Sequence, residues 1–170
     1  MLVHIKQKIK EMKEILIIKF DGVLSSAHIS ETLNALVTKV NVHDLEAISK
    51  LYNKYDIYVL RDGRYLNKAL SLDCTILNQY VGNYIIYDSQ EELDNFVQGI
   101  ISTCENFVYV GCSDEDVEIF SNIYERGQMY CPDDASPRCK EYADVILEQK
   151  GGEGVISELE YFLIGEKNTD

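Results

Sequence analysis

Apolar runs of strand length alternate with helix-period patterns along most of this chain. The runs that predict strands are residues 15–20, 57–60, 84–87, 107–110, 129–130 and 145–147. The segments whose apolar residues recur at helical spacing are 45–54, 90–102, 114–124, 136–142 and 155–162. Strands that alternate with helices in this way indicate an α/β fold, in which a central parallel sheet is covered by helices on both faces.

Residues 25–42 break this alternation. The segment is too long for a tight loop and too polar at 30–34 for a core element, and Val37, Val40 and Val42 favour an extended β-hairpin. A long excursion inside a compact domain is usually functional. We therefore predict a single domain over residues 1–170 with a hairpin flap at about 25–42.

Composition restricts the environment and the partners. No apolar run approaches the roughly 20 residues needed to span a bilayer, and residues 1–14 are Lys-rich and lack a signal peptide's cleavage site. We expect a soluble, cytoplasmic protein without a membrane partner. The net charge of -13 disfavours binding to nucleic acid, which is also negatively charged. Five cysteines without a Cys-x-x-Cys pair predict free, mostly buried thiols.

Short motifs stand at the ends of the predicted strands and in the loops between elements. They are Phe-Asp-Gly-Val-Leu at 20–24, Val-Asn-Val-His-Asp at 40–44, Gly-Arg at 63–64, Tyr-Val-Gly at 109–111, Asp-Asp-Ala at 133–135, Ala-Asp-Val at 143–145 and Gly-Gly-Glu-Gly at 151–154. In this order they resemble the motifs of the capless branch of the haloacid dehalogenase (HAD) superfamily. That branch is typified by 3-deoxy-D-manno-octulosonate 8-phosphate phosphatase and includes the HAD-like domain of some CMP-sialic acid synthetases. The resemblance covers about residues 12–164 and implies a Rossmann-like HAD fold, a three-layer αβα sandwich with a hairpin inserted after the first strand.

The sequence differs from the family at the positions that carry the family's chemistry, and the first of these lies in the first strand. There the family carries Asp-x-Asp-Gly, whose first carboxylate attacks phosphorus and helps to hold Mg²⁺. Lys19 stands at that position, and an ammonium has no lone pair for attack and is no ligand for a hard cation. Asp21 keeps the place of the general acid/base, although an Asp before Gly is also a common turn former. We expect Lys19 to face a pocket near Asp21 and Asp116, where its ammonium substitutes for magnesium.

The phosphate-binding motifs also differ. Before Gly63 and Arg64, where the family offers a Ser or Thr hydroxyl to the phosphate, this chain has Asp62, whose carboxylate would repel it. These three residues are the vestigial substrate-binding positions. The lysine that neutralises the transferred group in the family has no counterpart, because residues 69–139 contain no lysine.

The fourth motif, Gly-Asp-Asp-x-x-Asp in the family, has Cys112 in place of its first acid and retains Asp116. A thiol is a poor magnesium ligand. The acidic run at 114–116 can complement the dipole of a helix without any metal. Cys112 stands at a helix start, where thiolates are favoured, so a role as a reactive thiol stays open. Where the family often has an arginine after its glycine loop, this chain has Ser157.

Together these losses predict a catalytically inactive pseudo-phosphatase that uses no cofactor. Its vestigial metal positions would be Lys19, Asp21, Cys112 and Asp116. By resemblance, the hairpin would join subunits into a homotetramer that acts as a structural or regulatory partner in acidic-sugar or nucleotide-sugar metabolism. Two alternatives stay open: an active or residual phosphatase on a small phosphosugar, and a non-catalytic module that binds a sugar acid or another anion.

Overall fold

The computed structural model describes residues 13–30, 35–65, 80–123 and 125–165, and for 27–30, 35–39, 65 and 123 it describes the backbone only. In chain order the strands are β1 (Glu14–Lys19), β2 (Ser25–Ser30), β3 (Ala35–Val40), β4 (Tyr55–Asp62), β5 (Asn83–Tyr87), β6 (Phe107–Val110), β7 (Gly127–Cys131) and β8 (Val145–Ile146). The helices are α1 (Val42–Leu51), α2 (Gln90–Ile101), α3 (Asp114–Ile123), α4 (Pro137–Tyr142) and α5 (Val155–Glu160). A 3₁₀ turn lies at Gly63–Tyr65 and a π-helical turn at Tyr161–Gly165.

Within the described residues, six strands form one parallel sheet in the order β5-β4-β1-β6-β7-β8. Strand β1 is central, and its side chains alternate between two cores. Leu16 and Ile18 pack with α1 and α5 on one face, whereas Ile15 and Ile17 pack with α2, α3 and α4 on the other. A parallel strand covered on both faces needs an unbroken apolar run. The predicted α/β fold with helices on both faces of a parallel sheet is therefore confirmed.

The predicted hairpin after the first strand is present. Strands β2 and β3 are antiparallel, pair from Ser25 with Val40 to Ser30 with Ala35, and form a separate two-stranded sheet. Residues 31–34 and the side chain of Val37 lie outside the described part of the structure. The predicted end of the hairpin at Val42 is wrong. The side chain of Asn41 accepts a hydrogen bond from the backbone N–H of His43 and caps α1, so the helix already includes Val42.

Other boundaries differ from their predictions by only a few residues. β8 ends at Ile146, one residue before the predicted end, although the following residue is still buried. The 3₁₀ turn at Gly63–Tyr65 directly follows β4, and residues 66–79 lie outside the described part. Among the described helices, none has the length and apolar content needed to cross a bilayer.

Candidate functional site

A pocket of about 240 Å³ opens at the carboxyl edge of the parallel sheet. Carboxyl ends of parallel strands meet at one edge, which is where α/β proteins usually bind ligands. The ends of β1, β4, β5 and β6 supply most of the wall. The lining residues are Lys19, Asp21, Asp62, Tyr87, Cys112, Ser113, Asp114 and Glu115. The structure thus brings together four positions singled out in the sequence and adds Tyr87, which the sequence analysis missed.

Lys19 is the last residue of β1 and is almost completely buried, with 5% of its surface exposed. Its Nζ donates a hydrogen bond to the Tyr87 hydroxyl and lies 3.6 Å from Oδ1 of Asp116. Burial by itself would lower the pKa of Lys19, but the negative charge of Asp116 and the contact with Tyr87 outweigh burial and raise it. Lys19 therefore remains an ammonium and faces the protein, not bulk solvent.

Asp116, in the first turn of α3, is fully buried, and both of its oxygens are occupied. Oδ1 accepts a hydrogen bond from the Tyr109 hydroxyl at 2.7 Å, and Oδ2 accepts from the backbone N–H groups of Cys112 and Ser113 at 2.9 Å each and from Ser113 Oγ at 2.8 Å. Burial opposes its ionisation, but Lys19 and these donors outweigh burial and lower the pKa of Asp116. Gly111 is required beside it, because a Cβ there would lie 2.7 Å from the Asp116 Cβ.

Asp21 lies in the turn after β1 and has a different environment. Both carboxylate oxygens are buried, and among the described residues neither has a hydrogen-bond partner. The nearest cation in an ion pair is Arg61, whose Nε lies 3.8 Å from Asp21 Oδ1. Burial raises the pKa of Asp21, although Arg61 and Lys19 both act to lower it. The carboxylate is turned towards Arg61 and away from water, an unsuitable position for proton exchange with a ligand.

Arg61 is a second residue that the sequence analysis missed. Only 1% of it is exposed, its guanidinium lies 4.2 Å from the centre of the Phe20 ring, and its Nη1 donates to the Tyr84 hydroxyl at 3.3 Å. A signal was available in the sequence. Arg61 directly follows the strand predicted at 57–60, and in the structure β4 continues through Arg61 to Asp62, which carries the side chain into the protein.

The Asp62 carboxylate lines the pocket and is paired with the guanidinium of Arg64. Its carboxylate accepts from the backbone N–H of Arg64 at 2.9 Å, from Nε at 3.0 Å and from Nη2 at 2.6 Å. The same Nη2 donates to Glu115 Oε1 at 2.9 Å. Arg64 thus joins the last residue of β4 to one in α3, and the two acids occupy the guanidinium face that an anionic ligand would need.

The Cys112 thiol is buried against the loop that carries Asp21. Its Sγ donates to the backbone carbonyl of Asp21 at 3.3 Å, and Gly22 permits this approach, because its φ is +80° and a Cβ there would lie 2.6 Å from the Cys112 Sγ. Burial and the negative charge of Asp116 raise the pKa of Cys112. The thiol therefore stays protonated, and the reactive-thiol interpretation loses its physical basis.

The acidic run at the start of α3 is not a metal cluster. Asp114 accepts from Ser136 Oγ at 2.6 Å, Glu115 binds Arg64, and Asp116 is buried with Lys19. The three carboxylates diverge. Among the described residues, no group of three or more His, Cys, Asp or Glu side chains could hold a metal ion.

Ser157, which stands where the family often has an arginine, contacts a buried acid. Its backbone N–H and its Oγ both donate to Asp44 Oδ1, at 2.9 and 3.2 Å. Asp44 is fully buried and joins the start of α1 to the start of α5. The pieces at 40–44 and 151–154 are therefore close in space, but they build the scaffold and do not line the pocket.

The residues at the carboxyl edge do not fit Mg²⁺. Magnesium needs near-octahedral oxygen ligands. At this edge the Lys19 ammonium already contacts Asp116, both Asp116 oxygens accept hydrogen bonds, and Cys112 supplies a protonated sulfur. Of the vestigial metal positions, Asp21 is thus the one whose carboxylate oxygens accept no hydrogen bond from the described residues, and one carboxylate does not make a magnesium site.

No protein-family model and no curated protein matches the chain. Solved structures do match its fold. A protein described as a HAD family hydrolase from Streptomyces avermitilis has a TM-score of 0.72 and 17% identity, over 90% of this chain and 86% of its own. The cobalt-bound deoxy-D-mannose-octulosonate 8-phosphate phosphatase from Haemophilus influenzae has a TM-score of 0.70 and 20% identity, over 90% and 88%. A 3-deoxy-D-manno-octulosonate 8-phosphate phosphatase from Moraxella catarrhalis, in complex with magnesium ion, phosphate ion and KDO, has a TM-score of 0.70 and 16% identity, over 92% and 88%. The chain therefore has the HAD fold, as predicted.

Proposed function

We propose that this chain is a catalytically inactive HAD-fold protein, a pseudo-phosphatase that acts as a structural or regulatory partner. The observation that carries the proposal is the buried ion pair between Lys19 and Asp116. It places a permanent cation where the reaction needs a nucleophilic carboxylate, and it gives Asp116 the positive partner that a metal would otherwise supply. Lys19 in this way substitutes for magnesium in the structure but not in the reaction.

The side chains around the pocket offer no replacement nucleophile in reactive form. Burial raises the pKa of Tyr87 to about 12, against the effect of Lys19, and Cys112 is likewise kept protonated. Asp21 is turned towards Arg61. Nucleophilic catalysis needs a group activated by a lowered pKa or a neighbouring base. The Ser113 hydroxyl has the Asp116 carboxylate beside it, but the pKa of Asp116 is lowered, so Asp116 is a weak base for that hydroxyl.

The charge of the pocket opposes a phosphate ester. Among the described residues that line it are four carboxylates, those of Asp21, Asp62, Asp114 and Glu115, and one ammonium, that of Lys19. Phosphoryl transfer depends on cations that neutralise the transferred group. The same charges weaken the alternative of an anion-binding module, because Arg64 already binds two acids.

The decisive assay compares hydrolysis of phosphosugars, with Mg²⁺ present, by the wild type and by a Lys19→Asp, Cys112→Asp variant. We expect wild-type turnover at the level of the buffer, and no stabilisation of the wild type by Mg²⁺ in thermal melts. The double variant should be stabilised by Mg²⁺, since it regains two carboxylates. Wild-type turnover at rates normal for an enzyme would make the proposal wrong.

The alternative of a residual phosphatase is favoured by one observation, the retention of Asp21 on an HAD fold. It would act on a small phosphosugar, such as the 8-phosphate in the names of the structural neighbours. Asp21→Ala tests it, because a real residual activity must disappear in that variant. Activity that survives the substitution would come from a contaminant.

The partner role rests on the hairpin. Strands β2 and β3 form a sheet separate from the six-stranded one, so the flap is available for contacts with other copies. We propose a homotetramer through residues 25–42, in a cytoplasmic acidic-sugar or nucleotide-sugar pathway.

Light scattering on a size-exclusion column tests the homotetramer and should give four copies for the wild type. Val42→Asp, at a position that is 60% exposed, should dissociate them, whereas Tyr161→Asp, at a position 71% exposed, should not. A monomeric wild type would contradict the assembly.

A further inference from the structure

The loop that begins at Gly151 lies against the root of the hairpin, where the chain turns from β1 into β2. The backbone N–H of Gly152 donates a hydrogen bond to the Val23 carbonyl at 2.9 Å. A Cβ on Gly151 would overlap the backbone carbonyl of Gly22, and a Cβ on Gly152 would overlap the backbone nitrogen of Ser26. Two stretches of backbone are therefore in direct contact, and glycine is the residue that leaves room for such a contact.

Gly152 has a second reason to be glycine. Its φ is +76°, in the left-handed region that residues with a side chain rarely adopt. An alanine here would have an unfavourable backbone conformation as well as a Cβ without space. Gly152 is not among the residues that line the pocket. The contact with the root of the hairpin, and not the pocket, therefore determines the residue at this position.

The loop is a fixed support for this contact, because the scaffold holds it on two sides. The backbone N–H of Gly151 donates to Asp134 Oδ1 at 2.9 Å, and the backbone N–H of Asp133 donates to the Gln149 carbonyl at 3.0 Å. The carboxylate of Glu158, in α5, accepts the backbone N–H of Gln149 at 2.9 Å. The loop is thus bonded both to α5 and to the segment that follows β7.

The root of the hairpin is itself a tight turn. The backbone N–H of Gly22 donates to the Ser25 carbonyl at 2.9 Å, and the backbone N–H of Ser25, which is fully buried, donates to the Phe20 carbonyl at 2.9 Å. Beyond this turn, β2 and β3 form a sheet of their own. A hairpin of two strands is only marginally stable in water by itself. Its order and its direction therefore depend on what holds the root.

We propose that the contact of Gly151 and Gly152 with residues 22–26 is a clamp that holds the hairpin in one direction relative to the six-stranded sheet. When the clamp is broken, the hairpin opens while the six-stranded sheet stays folded. The proposed subunit contacts lie on this hairpin, so the clamp also controls assembly. That last consequence alone rests on the proposed homotetramer.

Hydrogen exchange of the full chain, measured by mass spectrometry, tests the clamp. In Gly152→Ala we expect the amides of β2 and β3 to exchange about tenfold faster than in the wild type, because the strained alanine favours the open hairpin. The amides of β6 should keep their wild-type rate. Gly99→Ala is the matched control and should change neither rate, because a Cβ at that position in α2 meets nothing within 4 Å.

Two results for Gly152→Ala would overturn the proposal. Exchange of the hairpin at the wild-type rate would mean that the contact does not hold it. Equal acceleration in β2, β3 and β6 would mean that the glycines serve the whole fold and not the hairpin.

Asp134 decides the matter if Gly152→Ala does not fold. Asp134→Ala removes the acceptor of the Gly151 N–H and adds no atom at the contact, so the hairpin amides should exchange about threefold faster. Asp134→Asn keeps an acceptor oxygen and should exchange as the wild type does. Equal hairpin exchange in the wild type and in Asp134→Ala would then refute the clamp.

Light scattering separates the clamp from the assembly that it controls. If the wild type has four copies, Gly152→Ala should have fewer and Gly99→Ala should have four. A Gly152→Ala protein that keeps four copies would refute the control of assembly. A monomeric wild type would contradict the proposed homotetramer alone, because the exchange of the hairpin amides does not require an assembly.

Discussion

Asp116 and Asp21 lie at the same edge of the sheet and have opposite environments. Asp116 accepts four hydrogen bonds and faces the Lys19 ammonium, and its pKa is lowered although it is fully buried. Asp21 has two buried oxygens without a hydrogen bond to the described residues, and its pKa is raised. The difference teaches that the Lys19 ammonium compensates for the charge of Asp116, whereas Asp21 depends on the guanidinium of Arg61, 3.8 Å away.

The largest effect should come from Lys19→Met. This change leaves Asp116 buried and ionised without its cation, and breaking a buried pair in this way costs about 3–5 kcal/mol. Urea unfolding at pH 7 measures it. Lys54→Met is the control, because that lysine pairs with Glu14 near the surface and should cost less than about 1 kcal/mol.

The stability lost in Lys19→Met should depend on pH, because the Lys19–Asp116 pair needs an ionised Asp116. The folded-state pKa of Asp116 is lowered, so its stabilisation is present above the unfolded value of about 3.9 and is lost as pH falls through the folded value. Lys19→Met should therefore cost less at pH 3 than at pH 7, and adding Asp116→Asn should recover part of the loss. A Lys19→Met protein as stable as the wild type at pH 7 would refute the ion pair.

Asp21→Asn should have a smaller effect of opposite sign. The pKa of Asp21 is raised in the folded state, so its carboxylate destabilises the fold at neutral pH, and the cost disappears as pH falls below about 4. We expect a gain of about 1 kcal/mol at pH 7 and none at pH 3. Asp56→Asn, at an exposed position at the other end of β4, should change nothing. A loss at pH 7 would mean that attraction to Arg61 outweighs burial.

Glu115→Gln should have the smallest effect. Glu115 is 41% exposed, and Arg64 keeps its bonds to Asp62 when the Glu115 charge is removed. Exposed ion pairs contribute little to stability. The melting temperature should stay within experimental error of the wild type. A drop comparable to that of Lys19→Met would show that the Arg64 bridge, and not the buried pair, holds this edge together.

Much of the fold followed from the sequence, because central strands in a parallel sheet are continuously apolar and end at polar turns. Residues 15–20 and 107–110 identified β1 and β6 to within a residue. The hairpin end was misplaced because Asn41 is a helix cap, and a cap followed by the valine at 42 looks like strand to a pattern based on hydrophobicity.

The site was predicted less completely, since its residues come from strands far apart in sequence. Lys19, Asp62 and Cys112 were found because each lies at or just after the end of a predicted strand. Tyr87 was not found as the partner of Lys19, because β5 lies two strands away from β1 in the sheet and only the strand order brings them together. The donors to Asp116 depend in the same way on a turn at Gly111 that no local pattern specifies.

The Lys19–Asp116 pair also bears on the order in which mutations can occur. Replacing Lys19 with Asp alone removes the cation and puts a third carboxylate beside Asp21 and Asp116, so the chain would lose stability before it could gain a ligand. A metal site at this edge would need a second change at Cys112 while the first was still harmful. The buried lysine is therefore easy to retain and difficult to replace by single substitutions.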